Sequence, residues 1–214
     1  FILITYLGFY SIYFNQILIL AIIIFIIGAL SLQLFSTNYN AIMNISATIG
    51  GVAYITLFFI CLLIVREFNF FFNSTLNIEP MFLVYSFIIS IWICDTFAYF
   101  IGIKFGKHKL IPHISPKKSW EGAVAGFLGA IFSMIIFEYI LLNFGFLNSL
   151  FIGMLVGIGG QIGDLAESQL KRDAGIKDSS TILPGHGGFL DRFDSILFVS
   201  PLVLVYLLLL NFFI

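Results

Sequence analysis

A polar segment with the residue types of a metal and phosphate site, KRDAGIKDSSTILPGHGGFLDRFD, occupies residues 171–194 of a mostly apolar chain. Its proline and glycines, in LPGHGG, force a tight irregular backbone whose exposed amides can bind an anion. Asp191 and Asp194 are three residues apart and so share a helix face, with Arg192 nearby. A solvated loop between two spans would also explain the polarity, but not the carboxylates that continue into the last apolar segment.

The run just before it, GDLAESQLKR, has its polar residues at helical spacing. Asp164, Glu167, Ser168 and Lys171 fall at i, i+3, i+4 and i+7 and therefore share one face. Acidic groups toward the apolar run and basic groups toward water suit a bound cation with phosphates beyond it. An ordinary amphipathic helix end with i,i+4 pairs would give the same spacing, so this run alone does not separate the two interpretations.

A third candidate, WICDTFAYFIG, places Asp95 deep in an apolar run with Tyr99 one helical turn later. A lone carboxylate in a membrane span is costly unless it is paired or binds a cation. Hydrogen bonding to neighbouring helices, for packing alone, is the other interpretation of Asp95.

The fourth candidate, ISPKKSWEG, begins at residue 114. Ser115 and the proline after it break the chain, and Lys117 and Lys118 supply charge. Ser119 is a suitable N-cap for a helix that follows. For the two lysines alone, a basic cluster beside a membrane is the favoured interpretation. Taken together, the four candidates alternate carboxylates with cationic donors, as a magnesium–polyphosphate site requires.

The elements that must position these residues are membrane helices. The chain has 214 residues, of which 60% are hydrophobic and 10% charged, whereas soluble domains are about 45–50% apolar and about 25% charged. This composition excludes a water-soluble protein, and continuous apolar runs favour an all-α transmembrane bundle over a barrel. We expect a single domain over residues 1–214. The runs long enough to span are 17–35, 41–65, 80–103, 121–142, 147–165 and 194–213, and residues 1–14 look like the end of another.

Two polar loops, 104–120 and 166–193, lie on the same side of the membrane if the two spans between them form a pair. The first contains five lysines, whereas the loop 66–79 on the opposite side has one arginine and two glutamates. The positive-inside rule therefore places both polar loops in the cytoplasm. Because the chain begins at Phe1, we expect that further N-terminal residues are missing.

The stretch from residue 168 to residue 194 closely resembles the signature of the phosphatidate cytidylyltransferases, or CDP-diacylglycerol synthases. DTFAY and SPKKSWEG resemble upstream motifs of that family in the right order, so the resemblance covers most of residues 50–214. The matching signature residues are Ser168, Lys171, Arg172, Lys177, Asp178, Pro184, His186, Gly187, Gly188, Asp191, Arg192, Phe193 and Asp194.

The resemblance implies a multi-pass α-helical protein of the bacterial inner membrane, with its active site facing the cytoplasm. The implied reaction combines CTP with phosphatidate to give CDP-diacylglycerol and pyrophosphate, with Mg²⁺ as cofactor. It also implies homodimers and contact with membrane lipid, and no nucleic-acid partner is expected. The implied metal ligands are Asp164 and Asp191, and the DTFAY and SPKKSWEG regions are implied to lie at the nucleotide side of the site.

The other site residues are assigned around that metal pair. Asp95 and Asp194 are expected to complete or orient the metal site. The expected phosphate contacts are Lys171, Arg172 and Arg192, and the lysines expected to hold the triphosphate are Lys117 and Lys118. His186 is expected to hydrogen-bond within its loop instead of acting as a base. The remaining expected substrate contacts are Tyr99, Ser115, Ser168, Lys177 and Asp178.

Three other interpretations compete with this one. A CTP-dependent polyprenol or phytol kinase would share the bundle and nucleotide site, but the full HGG-x-x-DR-x-D signature argues against it. A transporter with an intramembrane ion site predicts polar residues on both sides of the midplane and paired repeats, which the sequence lacks. A chain without its N-terminal helices could also be inactive.

Overall fold

The computed structural model describes residues 14–35, 40–72, 76, 78–177, 179, 180, 188 and 190–213, and these are mostly helical, with one short hairpin. Backbone contacts divide the chain into two compact units, with the boundary between Leu63 and Ile64. The single domain remains a prediction. In chain order the elements are α1 (Phe14–Leu34), α2 (Ala41–Arg66), α3 (Phe68–Phe72), α4 (Pro80–Phe105), β1 (Lys109–Ile111), β2 (Ser115–Ser119), α5 (Trp120–Phe137), a π-helical turn (Glu138–Leu142), α6 (Phe146–Asp173) and α7 (Leu190–Phe213).

Five helices within the described residues are long and apolar enough to cross a membrane: α2, α4, α5 with its π-helical turn, α6 and α7. They confirm the predicted all-α transmembrane bundle and coincide with five of the six predicted spans. The remaining predicted span, 17–35, coincides with α1. Its apolar stretch, Leu18–Leu34, is shorter than the roughly 20 residues of a typical span. Residues 1–14 were expected to be the end of another span, and all but the last of them lie outside the described residues.

In the second unit, α4, α5, α6 and α7 pack side by side in sequence order, and α4 also touches α6. Neighbouring helices are antiparallel and approach closely at glycines. A Cβ added at Gly157 would lie 2.9 Å from the ring of Phe127, and one at Gly163 would lie 2.8 Å from the Asp194 carbonyl. The glycines of α6 therefore serve helix packing, and they bring Asp194 against α6 close to Asp164.

The antiparallel order gathers four helix termini at one end of the unit, which we call the charged end. It comprises the C-terminal ends of α4 and α6, the N-terminal ends of α5 and α7, and the β1–β2 hairpin. The two polar loops meet there, since Arg172 Nε donates to the Ile114 carbonyl at 3.5 Å. Both loops therefore lie at one end of the bundle, and the side of the membrane that this end faces stays a prediction.

The structure corrects the extent of both loops. The predicted loop 104–120 contains an antiparallel hairpin in which Lys109 pairs with Ser119, closed by a 2.9 Å hydrogen bond from Trp120 N to the His108 carbonyl. Ser119 caps α5 as predicted, with its Oγ accepting from Gly122 N at 3.2 Å. The predicted loop 166–193 begins too early, because α6 continues to Asp173, and this agrees with the helical spacing that the sequence shows from Asp164 to Lys171. Two i,i+4 contacts on the polar face of α6, Ser168 with Asp164 and Lys171 with Glu167, stabilise its last two turns.

At the opposite end, the buried carboxylate of Glu138 closes the connection between α5 and α6. It accepts hydrogen bonds from Phe144 N at 3.1 Å, Gly145 N at 2.6 Å and Ser149 Oγ at 2.6 Å. Asn143 and Gly145 adopt positive φ of 48° and 102°, so the chain reverses sharply around the carboxylate. Glu138 therefore satisfies two amides of the connection just before α6 and a serine hydroxyl in its first turn.

Replacing Glu138 with alanine is expected to lower the free energy of unfolding by about 3 kcal/mol, because three donors would lose a charged acceptor. Unfolding of the purified protein in detergent, followed by helical circular dichroism, measures the change. Glu79→Ala is the matched control, since Glu79 is exposed and makes no side-chain cap. Equal stability of the two variants would contradict this role of Glu138.

Candidate functional site

The central contact of the charged end joins the hairpin to α6. Lys118, from β2, places Nζ 2.6 Å from Asp164 Oδ2. The other oxygen of Asp164 accepts a hydrogen bond from Ser168 Oγ at 3.3 Å, one helical turn later. Two residues predicted from separate motifs, 46 positions apart, are thus in direct contact.

Two further carboxylates adjoin this pair. Asp95 on α4 and Asp194 on α7 both lie within electrostatic range of Asp164 and of Lys118. Three helices therefore contribute one carboxylate each around a single ammonium. The three carboxylates outnumber the one ammonium, and a bound cation or a further basic group would balance the excess negative charge. Among the described residues no set of three or more metal-binding side chains is already arranged as a complete site.

Asp191 has a separate group of partners at the start of α7. Its Oδ1 accepts from Lys171 Nζ at 2.6 Å. Its Oδ2 accepts from Ser179 N at 3.0 Å, Ser179 Oγ at 2.8 Å and Gly188 N at 2.7 Å. Both oxygens are thus engaged, and they fasten α7 to the end of α6 and to the segment between them. The metal-ligand assignment of Asp191 stays a prediction.

Glu167 is a site residue that was not assigned from the sequence. Its side chain is only 1% exposed, and Oε2 accepts from Lys171 Nζ at 2.9 Å. Oε1 is buried and receives no hydrogen bond from any described residue. Lys171 is therefore held between the carboxylates of Glu167 and Asp191. The i,i+4 spacing on a shared face was visible in the sequence, but not the burial that makes this carboxylate important.

Replacing Glu167 with alanine is expected to reduce kcat for the reaction proposed below about 10- to 100-fold, because Lys171 loses one of its two anchors. Glutamine, which keeps an acceptor oxygen, should restore part of the loss. Steady-state kinetics in detergent measures both, with Glu79→Gln as control. A wild-type kcat in Glu167→Ala would remove the residue from the site.

Those of the remaining predicted residues that the structure describes lie at the same end. Arg172 donates to the carbonyls of Ile114 at 3.5 Å and Ile176 at 3.4 Å, so its guanidinium braces the loops. Asp178 and His186 lie outside the described residues. Ser115 begins β2 and is partly exposed, and the exposed members of the set are Tyr99, Lys117, Lys177 and Arg192.

A cavity of about 610 Å³ opens at the charged end between the hairpin, α4, α5 and α6. This volume falls within the range of about 300–1,000 Å³ that is usual for small-molecule sites. Its polar lining residues are Asp95, Tyr99, Lys109, Lys117, Lys118, Ser119, Gln161 and Asp164. A larger, shallow depression of about 860 Å³ lies beside it and includes Trp120 and the His108–Glu121 pair. Asp95 and Asp164 of the carboxylate cluster line the first cavity, which is the candidate active site.

Comparison with known proteins agrees with the motifs. A model of the cytidylyltransferase family matches residues 1–210. Similar curated proteins include the phosphatidate cytidylyltransferases of Staphylococcus haemolyticus (strain JCSC1435), 37% identical, and Staphylococcus aureus (strain COL), 38% identical. Each alignment extends over 180 residues and covers 84% of this chain and 65% of the relative. The chain thus spans slightly less than two thirds of the length of these relatives.

Proposed function

The chain belongs to the cytidylyltransferase family, and from this premise we propose that it transfers the cytidylyl group of CTP to phosphatidate, giving CDP-diacylglycerol and pyrophosphate. The observation that carries the proposal is the cavity in which hairpin lysines face carboxylates from two helices, Asp95 on α4 and Asp164 on α6. Most of the charge lies at one end of an apolar bundle, where a water-soluble nucleotide and a lipid head group can meet. A transporter would need polar groups deeper in the bundle.

The lysines of the hairpin are suited to the triphosphate. Lys109, Lys117 and Lys118 line the same cavity, and ammonium groups neutralise the charge that develops when a phosphoryl bond breaks. Lys118 would exchange its bond to Asp164 for one to a phosphate oxygen. Lys171, held by two carboxylates, supplies a further cation at the adjoining end of α7.

The carboxylate cluster is suited to Mg²⁺. Hard oxygen ligands fit this ion, and magnesium sites commonly use one or two carboxylates plus substrate phosphates. A complete protein ligand set is therefore not required before the nucleotide binds. Asp164 would be the central ligand, with Asp95 and Asp194 beside it. Asp191, in the neighbouring group that contains Lys171, would be the other ligand. When bound, the ion would stabilise negative charge on the phosphates.

The chemistry needs little beyond positioning and charge neutralisation. The second pKa of a phosphate monoester is about 6, so the phosphatidate dianion is already a nucleophile near neutral pH. One of its oxygens would attack the α-phosphorus of CTP in line, and pyrophosphate would leave. No general base is required, so a loop role for His186 is consistent with the reaction. The cavity residues would act by holding the two phosphates in line and stabilising the transition state.

The protein is a multi-pass membrane protein, because five of its described helices are long and apolar enough to cross a membrane. We further propose that the charged end faces the cytoplasm, since its hairpin loop is rich in lysine. This places the site where CTP is found. For a bacterial protein the membrane would be the inner one, and homodimers without a nucleic-acid partner remain part of the proposal.

The identity of the leaving group tests this function. Purified protein in mixed micelles with CTP, Mg²⁺ and phosphatidate is expected to release one pyrophosphate for each CTP consumed. A polyprenol-type lipid kinase would release CDP instead, in response to an alcohol. Phosphatidate-dependent formation of CDP without pyrophosphate would overturn the proposal.

A further inference from the structure

Gln161 on α6 lines the cavity one helical turn before Asp164, and its side chain is held in one orientation. Nε2 donates to the Ala123 carbonyl at 3.0 Å and to the Gly157 carbonyl at 2.8 Å. Because both acceptors are carbonyls, the nitrogen must be the atom that faces them. Nε2 also lies 3.8 Å from Cys94 Sγ. The N–H groups of Gln161 are therefore taken up by partners within the protein.

The carbonyl oxygen of the same amide has no comparable partner. Oε1 receives no hydrogen bond from the described part of the chain. The atom is also not fully buried. Gln161 is half-buried and belongs to the cavity lining. The amide thus presents a fixed acceptor to whatever occupies that part of the cavity.

The distribution of charge indicates which part of CTP would lie there. The lysines of the lining all come from the hairpin, so the triphosphate belongs at that side. Ala98, Gly122, Ala123 and Gln161 form an uncharged part of the lining beside Asp95, and the uncharged base would lie there. Asp164 lies between these two regions on α6, where the reacting phosphorus would have to be.

We propose that Gln161 is the residue that selects cytosine, with Oε1 accepting a hydrogen bond from the exocyclic amine of the base. This inference rests on the proposed function. Cytosine presents an amine donor at its 4-position, whereas uracil presents an oxygen acceptor there. A fixed acceptor would bond the first and repel the second, and sites built around such a bond discriminate strongly.

The test compares substrates that differ at this one position. CTP, UTP and the triphosphate of the 4-unsubstituted pyrimidin-2-one riboside are assayed for kcat/KM with phosphatidate and Mg²⁺. The wild-type protein is expected to prefer CTP to the unsubstituted analogue by about 10- to 100-fold, and to prefer it to UTP by more. In Gln161→Met the preference for CTP over the analogue should disappear, because only CTP loses a bond.

Gln169→Met is the matched control, since Gln169 is exposed on the same helix and is not among the cavity lining. General damage to the cavity would lower kcat/KM for all three nucleotides and leave the ratios unchanged. An unchanged preference in folded Gln161→Met would overturn the inference. Equal use of CTP and the analogue by the wild-type protein would do so without any variant. Wild-type protein that transfers nothing would instead overturn the proposed function itself.

Discussion

Replacing Asp191 with asparagine is expected to lower turnover about 10³-fold or more while the protein stays folded in detergent. One oxygen of Asp191 faces the Lys171 ammonium, and the other faces three donors from Ser179 and Gly188. An asparagine must turn its NH₂ group toward one of these sets, so a donor would face donors in either orientation. It would also remove the charge that a metal ion or Lys171 requires.

Steady-state kinetics with phosphatidate and CTP measures the loss, and size-exclusion chromatography with thermal unfolding reports on folding. Asp173→Asn is the matched control, because Asp173 is an exposed aspartate at the end of α6. Wild-type turnover in Asp191→Asn would exclude Asp191 from both the metal site and the anchoring of Lys171.

Replacing Lys118 with alanine is expected to raise KM for CTP about 10- to 100-fold and to change KM for phosphatidate much less. The ammonium bonded to Asp164 at 2.6 Å is the positive charge nearest the carboxylate cluster. Its removal leaves the carboxylates of Asp95, Asp164 and Asp194 to repel the triphosphate, and it also removes a charged hydrogen-bond donor to that group.

Lys107→Ala provides the comparison, since it removes the same charge from an exposed position in the shallow depression outside the active-site cavity. Both variants change the net charge equally, so a general electrostatic effect on CTP would appear in both. If Lys118→Ala changed only the dependence on phosphatidate, the triphosphate would have to lie elsewhere.

The sequence predicted much of the candidate site because chemistry-bearing residues stand out in an apolar chain. Asp164, Lys118 and Asp95 come from three separate motifs. Asp95 was singled out by the cost of a charge in a membrane span, Asp164 by helical spacing, and Lys118 by its motif and the family resemblance. The alternation of helix direction then required their motifs to meet at one end. The bundle itself followed from the lengths of the apolar runs, five of which are matched by long helices.

What the sequence did not predict depends on neighbours that are distant along the chain. Glu167 has helical spacing to Lys171, but its burial arises from packing that the spacing does not contain. Gln161 is polar without being charged, and its importance rests on the carbonyls of Ala123 and Gly157. The β1–β2 hairpin escaped prediction because its strands lack the alternation of apolar and polar residues that indicates a strand.

The most direct measurement of the central claim follows the α-phosphorus of CTP. Purified protein in mixed micelles is incubated with phosphatidate and α-³²P-CTP, with and without Mg²⁺, and the label is counted in the organic phase. The account predicts Mg²⁺-dependent label in a lipid that chromatographs as CDP-diacylglycerol. Label that stays in water while the γ-phosphate of CTP moves to a lipid would contradict cytidylyl transfer and establish a kinase instead.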